Sequence, residues 1–502
     1  MSVTQERPAA GEACDAATTP IIPGFFPDPS ICRAGDELFI ANSSFEYSPG
    51  VPLWRSDDLV TWHEAGHALA GDQRFPAGRA APGGGVYAPT LRHHDGRFWV
   101  ITTDVSGRPG QLLTSAPSIE GPWGPARIIA GIGGIDPDLA WDDDGTCYVT
   151  FSSNTADVPG IGQVRVDLER GVVVDQPRSI MPGTGLAYPE GPHLFQRGGL
   201  WYLLFAEGGT ERGHCVSVAR GPSPSGPFQL CPANPILTRR STTFPVQNTG
   251  HADIVELADR TWAMVYLGVR PRGATPLFHV NGRETFLAGL DWADDWPVVI
   301  ADRYRIPAPV TAFVDTFADA RLHPRWISPG ADLVDVAEPI AGGGVEVRPV
   351  ESPNGAPALL GVRARDPYWR FSATTGTREG AAVRVRMDDR HWYELLLVGG
   401  RAEVHAQVGG IAHRIAAERA LAPQGAVELW VRADAATTGG PDDLVFGVAD
   451  AAGVLAVARL DGRYLSTEVA GGFVGRVIGL RAQGTPVRFA DVRYAPESIG
   501  QR

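Results

Sequence analysis

Along the first 270 residues the apolar positions come in short runs, set by one repeated phrase. A polar or acidic residue opens it, then an apolar run, a turn and an aromatic-rich run. The copies are PDPSICRAGDELF from Pro27, YAPTLRHHDGRFW from Tyr87, IDPDLAWDDDGTCY from Ile135, PEGPHLFQRGGLWY from Pro189 and GHADIVELADRTW from Gly250. Short apolar runs bounded by turn residues predict strands paired in hairpins. Aligning Leu38, Phe98, Cys147, Trp201 and Trp262 after the turns gives spacings of 60, 49, 54 and 61 residues. That period is a little long for a four-stranded blade, and five copies predict a five-bladed β-propeller over residues 20–306. The segments SDDLVTW at Ser56, SAPSIEGPW at Ser115, ARGPSPSGPF at Ala219 and LDWADDWPV at Leu290 close blades with a turn and an aromatic. Those aromatics are expected to pack between blades.

The rhythm changes after IPAPVT at Ile306, which reads as a Pro-containing linker. Beyond it, AAVRVRMDDRHWYELLL from Ala381, AEVHAQV from Ala402, VELWVRAD from Val427 and DLVFGVAD from Asp443 alternate apolar and polar residues. This predicts a second all-β domain over residues 312–497, a two-sheet β-sandwich. No long amphipathic helix is evident, and the second domain carries no clustered acids or histidines on which to place catalysis. Residues 1–19 read as a disordered leader.

Composition narrows the class. A chain of 502 residues exceeds one ordinary core, and its 61 Gly and 42 Pro suit many short strands joined by turns. No apolar stretch is long enough to predict a membrane-spanning helix. The first residues lack the basic and apolar regions of an export signal, and the 5 cysteines have neither disulfide-framework nor metal-ligand spacing. A cytoplasmic location with free thiols is therefore expected. The net charge is −13 and all 44 basic residues are Arg, which argues against nucleic acid as partner.

Ten or eleven residues before the aligned positions stand Asp28, Tyr87, Asp136, Glu190 and His251. Equivalent positions of a propeller converge on one axis, so these five would meet in one pocket. Each has a plainer reading. Asp28 in FFPDPS alone reads as a turn residue at a strand start, although prolines on both sides stiffen its backbone. Asp136 repeats the Asp-Pro context, with Asp138 on the same side of an extended strand. Asp142, Asp143 and Asp144 before Gly145 read as a solvated turn rather than a metal site. Glu190 is a poor strand former, and a side chain reaching into a pocket accounts for it better. A lone His251 reads as structural, and its register brings a functional reading level with that. Two or three acids around one axis suit glycoside hydrolysis, where one carboxylic acid protonates the leaving oxygen and a carboxylate activates water or attacks carbon. Their environments must separate the two pKa values, and a third carboxylate beside the acid would raise its pKa. Phe26, Phe45 and Tyr87 suit stacking on sugar faces.

These residues resemble glycoside hydrolase family 43, particularly β-xylosidases and α-L-arabinofuranosidases with a C-terminal concanavalin-like sandwich. The segment from Pro20 to Leu69 carries the Pro-Asp-Pro-Ser start and Ser-x-Asp-Leu-x-x-Trp, and YAPTLRHHDGRFWV, GIDPDLAWDDDG, EGPHLF, GHADIV and NGRET follow in family order. The resemblance implies an inverting exo-glycosidase acting on terminal β-xylosyl or α-L-arabinofuranosyl units of small oligosaccharides. It implies Asp28 as general base, Glu190 as general acid and Asp136 as modulator of the acid's pKa. Phe45, His251 and Arg283 would line the sugar site, and Tyr87 stands where many family xylosidases carry Trp. Inversion would put the two carboxyl groups roughly 6.5–9.5 Å apart. No cofactor is implied; a structural calcium ion near His251 and a homo-oligomer stay open. The alternatives are a non-catalytic carbohydrate-binding protein on the same scaffold, which has no reason to keep three buried carboxylates together, and a protein-interaction propeller, which predicts no acidic centre.

Overall fold

The computed structural model describes residues 14–70 and 80–497. The chain is all-β. Among the described residues, the first 300 form five antiparallel sheets of four or five strands. Their first strands are Ser30–Ala34, Thr90–His94, Ile135–Trp141, Glu190–Arg197 and Gln247–Glu256. Each touches the next, and the fifth touches the first, a propeller-type arrangement. The repeated turns have a common cause. Asp95–Gly96 and Gly198–Gly199 take φ of 50° and 71°, and of 60° and 77°. Positive φ at both central residues is the tight hairpin turn whose twist matches the flanking strands, and Asp-Gly and Gly-Gly favour it. The apolar faces pack sheet against sheet; Phe39 and Leu53 of the first meet Leu91, Phe98 and Val100 of the second. Trp62, Trp123, Phe228 and Trp292 pack against these inter-sheet cores, as expected from the blade endings.

The expected leader, residues 1–19, needs correction. Residues 1–13 lie outside the described residues, but Cys14–Asp15 forms an antiparallel pair with Arg305–Ile306. Ala16 is fully buried, in one cluster with Ile21, Ile22, Ile306 and Leu287. A two-residue strand is too short to show alternation, so the sequence pattern carried no signal for it.

Residues 307–312 carry no regular structure. Beyond them lie an eight-stranded and a six-stranded sheet. Both contribute to a single core containing Phe371, Val431, Phe446 and Phe489 from one, and Val383, Leu395, Val404 and Leu480 from the other. The strand Ala381–Asp388 shows why alternation alone misleads here. Its Arg384 and Arg386 lie on the face away from this core, yet both are buried. Arg386 Nη1 donates to Tyr47 Oη of the first domain at 2.8 Å, and Ser328–Pro329 pairs with Tyr47–Ser48. Nearby, the backbone N–H groups of Thr467 and Arg476 donate to the carbonyls of His279 and Val280. Gly282 and Gly475 permit this approach: a Cβ at Gly475 would lie 2.3 Å from Asn281 O.

Candidate active site

In three of the five first strands the pairing register slips: between Ile135 and Asp138, between Glu190 and His193, and between Gly250 and Asp253. Asp136, Gly191 and His251 within these slips take φ of 55°, 54° and 44°, and Asp28 just ahead of its strand takes 54°. Left-handed backbone is uncommon for residues other than glycine, and bulges that re-aim side chains collect at functional sites. The register also refines the expected equivalence. The hairpin turns after Trp141 and Glu256 are one residue longer than those of the other three repeats. By register Asp28, Asp136 and His251 correspond, while Tyr87 and Glu190 stand one residue earlier. In the fourth strand the corresponding residue is Gly191, where a Cβ would lie 2.9 Å from the His251 ring.

The three acids converge. Asp28 is 5% exposed. It accepts from Arg283 Nη1 at 2.9 Å and from Ser43 Oγ at 2.5 Å, and His251 Nδ1 lies 3.7 Å away. Burial favours its neutral form, but Arg283, His251, Ser43 and His214 outweigh burial and hold the carboxyl below its ordinary value. Asp136 goes the other way. Burial, then repulsion from Glu190 and Asp28, pushes it well above the usual range, although Gly191 N–H donates to its Oδ2 at 3.1 Å. Glu190 feels burial too, but His214 offsets it and keeps Glu190 low. Asp136 and Glu190 thus share one proton, and the upward shift falls on Asp136 rather than on Glu190, where the sequence reading expected it, because His214 faces Glu190. Burial lowers His251 to about 4 against the pull of Asp28 and Glu190, so its ring is neutral at neutral pH.

His214 was not visible as a candidate in the sequence. It is fully buried. Its Nδ1 donates to the Asn248 carbonyl at 2.9 Å, which turns Nε2 toward Glu190 Oε1 at 3.6 Å. Ser43 and Thr210, the latter accepting from Arg283 Nη1 at 3.1 Å, were also missed. None of these residues occupies the repeated position, so spacing carried no signal for them.

The apolar wall comes from both domains. Phe45 stacks on Phe473 of the second domain at 5.9 Å, and Tyr87 meets the edges of both at 5.5 and 5.8 Å. Arg283 lies over the Phe45 and Phe473 rings at 5.6 and 5.4 Å, and its Nη2 donates to the Phe473 carbonyl. Phe473, in the Gly-flanked AGGFVG segment, is a second-domain residue that reaches the site; the family resemblance implied a loop of that domain at the pocket mouth but did not identify its residue. Phe26, expected to stack on sugar, instead packs edge-on against Trp54 at 4.9 Å in the propeller core.

One tier below the acids, Arg92 occupies the axis. Its guanidinium donates to Asp138 Oδ1 and Asp253 Oδ2, each at 2.7 Å, and to the Ser30 hydroxyl, and His193 Nδ1 lies at 3.0 Å. These residues come from all five sheets, which ties the strand starts together. The buried carboxylates Asp138 and Asp253 are therefore matched by a side-chain cation. Among the described residues no group of three or more His, Cys, Asp or Glu side chains is arranged to hold a metal ion.

The protein-family model for Glycosyl hydrolases family 43 matches residues 17–297. That for the Beta xylosidase C-terminal Concanavalin A-like domain matches residues 314–495. The chain is 32% identical over 517 residues to a Xylosidase/arabinosidase of Butyrivibrio fibrisolvens, covering 95% of this chain and 98% of the relative. It is 33% identical over 493 residues to a Non-reducing end alpha-L-arabinofuranosidase of Bacteroides ovatus, covering 93% and 91%. The solved xylan beta-1,4-xylosidase of Bacillus halodurans superposes with a TM-score of 0.84 at 26% identity, covering 96% of this chain and all of that one.

Proposed function

The chain belongs to Glycosyl hydrolases family 43, and on that premise we propose that it is an inverting exo-glycosidase removing terminal β-xylosyl or α-L-arabinofuranosyl units from short oligosaccharides. The observation that carries the reading is the convergence of three acids with opposed protonation. Ionised Asp28 takes a proton from the water that attacks the anomeric carbon. The bond from that carbon to the leaving oxygen breaks, its electron pair stays on the oxygen, and the acid pair supplies the proton. Glu190 delivers it, because its side chain is 20% exposed and within substrate reach, whereas Asp136 is buried. Asp136 keeps the pair from losing its proton too early. Arg283 holds Asp28 ionised and presents a donor to sugar hydroxyls. The wall of Phe45, Tyr87 and Phe473 narrows the mouth, which supports removal of terminal units. These steps are carried by side chains, and no cofactor takes part. The cyclic order of the five first strands supports a five-bladed propeller. Buried thiols at Cys32, Cys147, Cys215 and Cys231 support residence in a reducing compartment.

The test is a panel of aryl β-xyloside, α-L-arabinofuranoside and β-galactoside, with proton NMR of the first-formed sugar. Hydrolysis of at least one of the first two, with the opposite anomer released first, is expected. Release of the same anomer, or cleavage of the galactoside alone, overturns the proposal.

A further inference from the structure

A cavity of about 320 Å³ lies between the outer strands of the first sheet and the second domain. That is the size of a small-ligand pocket. None of Asp28, Asp136 and Glu190 lines it. Arg363 does, and it is only 4% exposed. Its Nε and Nη2 have no hydrogen-bond partner. What it has instead is aromatic: its guanidinium sits 4.5 and 4.4 Å from the Phe25 and Phe26 rings. Buried charges are ordinarily paired, and ring faces return only part of what water supplied. His67 lines the same cavity, with Nε2 buried and unpartnered. Burial pulls Arg363 down to about 9, so it stays cationic at neutral pH; burial and then Arg363 hold His67 at about 3, a neutral ring.

The remaining charges do not satisfy Arg363. The charged side chains lining the cavity are Arg325, Arg363, Arg365 and Glu64, three positive and one negative, an excess of two positive charges. Glu64 is already engaged by His323 at 3.2 Å and Arg365 at 3.8 Å. Trp54 and Trp62 supply flat apolar wall. We propose that this cavity is a second binding site, for a small organic oxyanion. The ligand is a carboxylate or phosphate monoester on a ring-sized body: its anionic head pairs with Arg363, and its body packs on Phe26, Trp54 and Trp62. Such a ligand touches both domains at once and ties them together.

The test is isothermal titration and thermal unfolding of the full chain with glucuronate, glucose 6-phosphate and, as neutral control, xylose. At about five times its Kd, a bound anion is expected to raise the melting temperature of a chain of this length by roughly 1–2 °C. Arg363→Met is expected to weaken anion binding at least tenfold while aryl-glycoside hydrolysis continues, which separates this cavity from the active site. Glucuronate against glucose 6-phosphate decides between carboxylate and phosphate. Should Arg363→Met fail to fold, Arg325→Gln in the same cavity is expected to weaken binding several-fold. Failure of both anions to bind at 10 mM in low salt overturns the proposal, as does binding unchanged in the foldable variant.

Discussion

Arg283→Met removes the cation nearest Asp28 and leaves the rest of its shell in place. The Nη1 to Oδ1 distance is 2.9 Å, and the residues are 7% and 5% exposed, so solvent screens the pair little. With charge centres about 4 Å apart and an effective dielectric of about 20, the attraction is about 4 kcal/mol, or about 3 pKa units. Arginine beside an aspartate typically lowers its pKa by about 1–3 units, and His251 and Ser43 persist in the variant, so a rise of 1–3 units in Asp28 is expected. Asp28 works as the ionised base. Raising its pKa therefore moves the acid limb of kcat/KM toward higher pH. The assay is a pH profile of kcat/KM on an aryl glycoside. Activity should fall most at the acid end of the profile and recover in part as pH rises. Arg283→Lys keeps the charge and should return most of the limb. An acid limb that stays in place while activity drops equally at every pH would show that Arg283 only binds sugar, and would refute the electrostatic role.

Glu190→Gln should cost about 10²–10⁴-fold in kcat on a disaccharide, and much less on an aryl glycoside whose leaving group needs no proton; equal losses on both contradict the acid assignment. Phe473→Ala removes a ring that stacks on Phe45 and touches Tyr87. Loss of about 1.5–3 kcal/mol of apolar contact should lower kcat/KM by about 10–100-fold, mainly through KM; an unchanged KM would show that the second domain does not touch substrate. Glu394, buried against Arg384 and Arg481, is held down to about 2 from 4.5. A depressed carboxyl stabilises the fold above its unfolded pKa and loses that contribution as pH falls through its folded value. About 3 kcal/mol should therefore disappear between about pH 5 and 2, seen by thermal unfolding across that range. Glu394→Gln should flatten this slope, and a variant with the parent's slope contradicts the reasoning.

The repeat and its acids were legible in the sequence because each sheet reuses one strand–turn–strand pattern, and identical local chemistry leaves a visible period. Asp28, Asp136 and His251 came from that period directly. Tyr87 and Glu190 came from it one residue out of register, because a single extra turn residue in the third and fifth repeats shifts the count while the hairpin still closes. The second domain was legible as strands, and the family resemblance implied a loop of it at the pocket, but not which residue makes the contact. Arg384 and Arg386 in an alternating strand look like a solvated face, and the tertiary structure turns that face onto buried acids and onto Tyr47.

Short-range pattern by itself determined the all-β class, the order of the strands and the presence of three acids at strand starts, since these depend on residues close together along the chain. Only the tertiary structure decided which acid is held ionised and which is held neutral. Protonation depends on burial and on charges within a few ångströms, and those charges, Arg283 and His214, come from segments with no sequence relation to the acids they govern. The same holds for Phe473, which lies 428 positions beyond the Phe45 it stacks on (473 minus 45), and for the unpaired guanidinium of Arg363, whose environment exists only once the two domains meet.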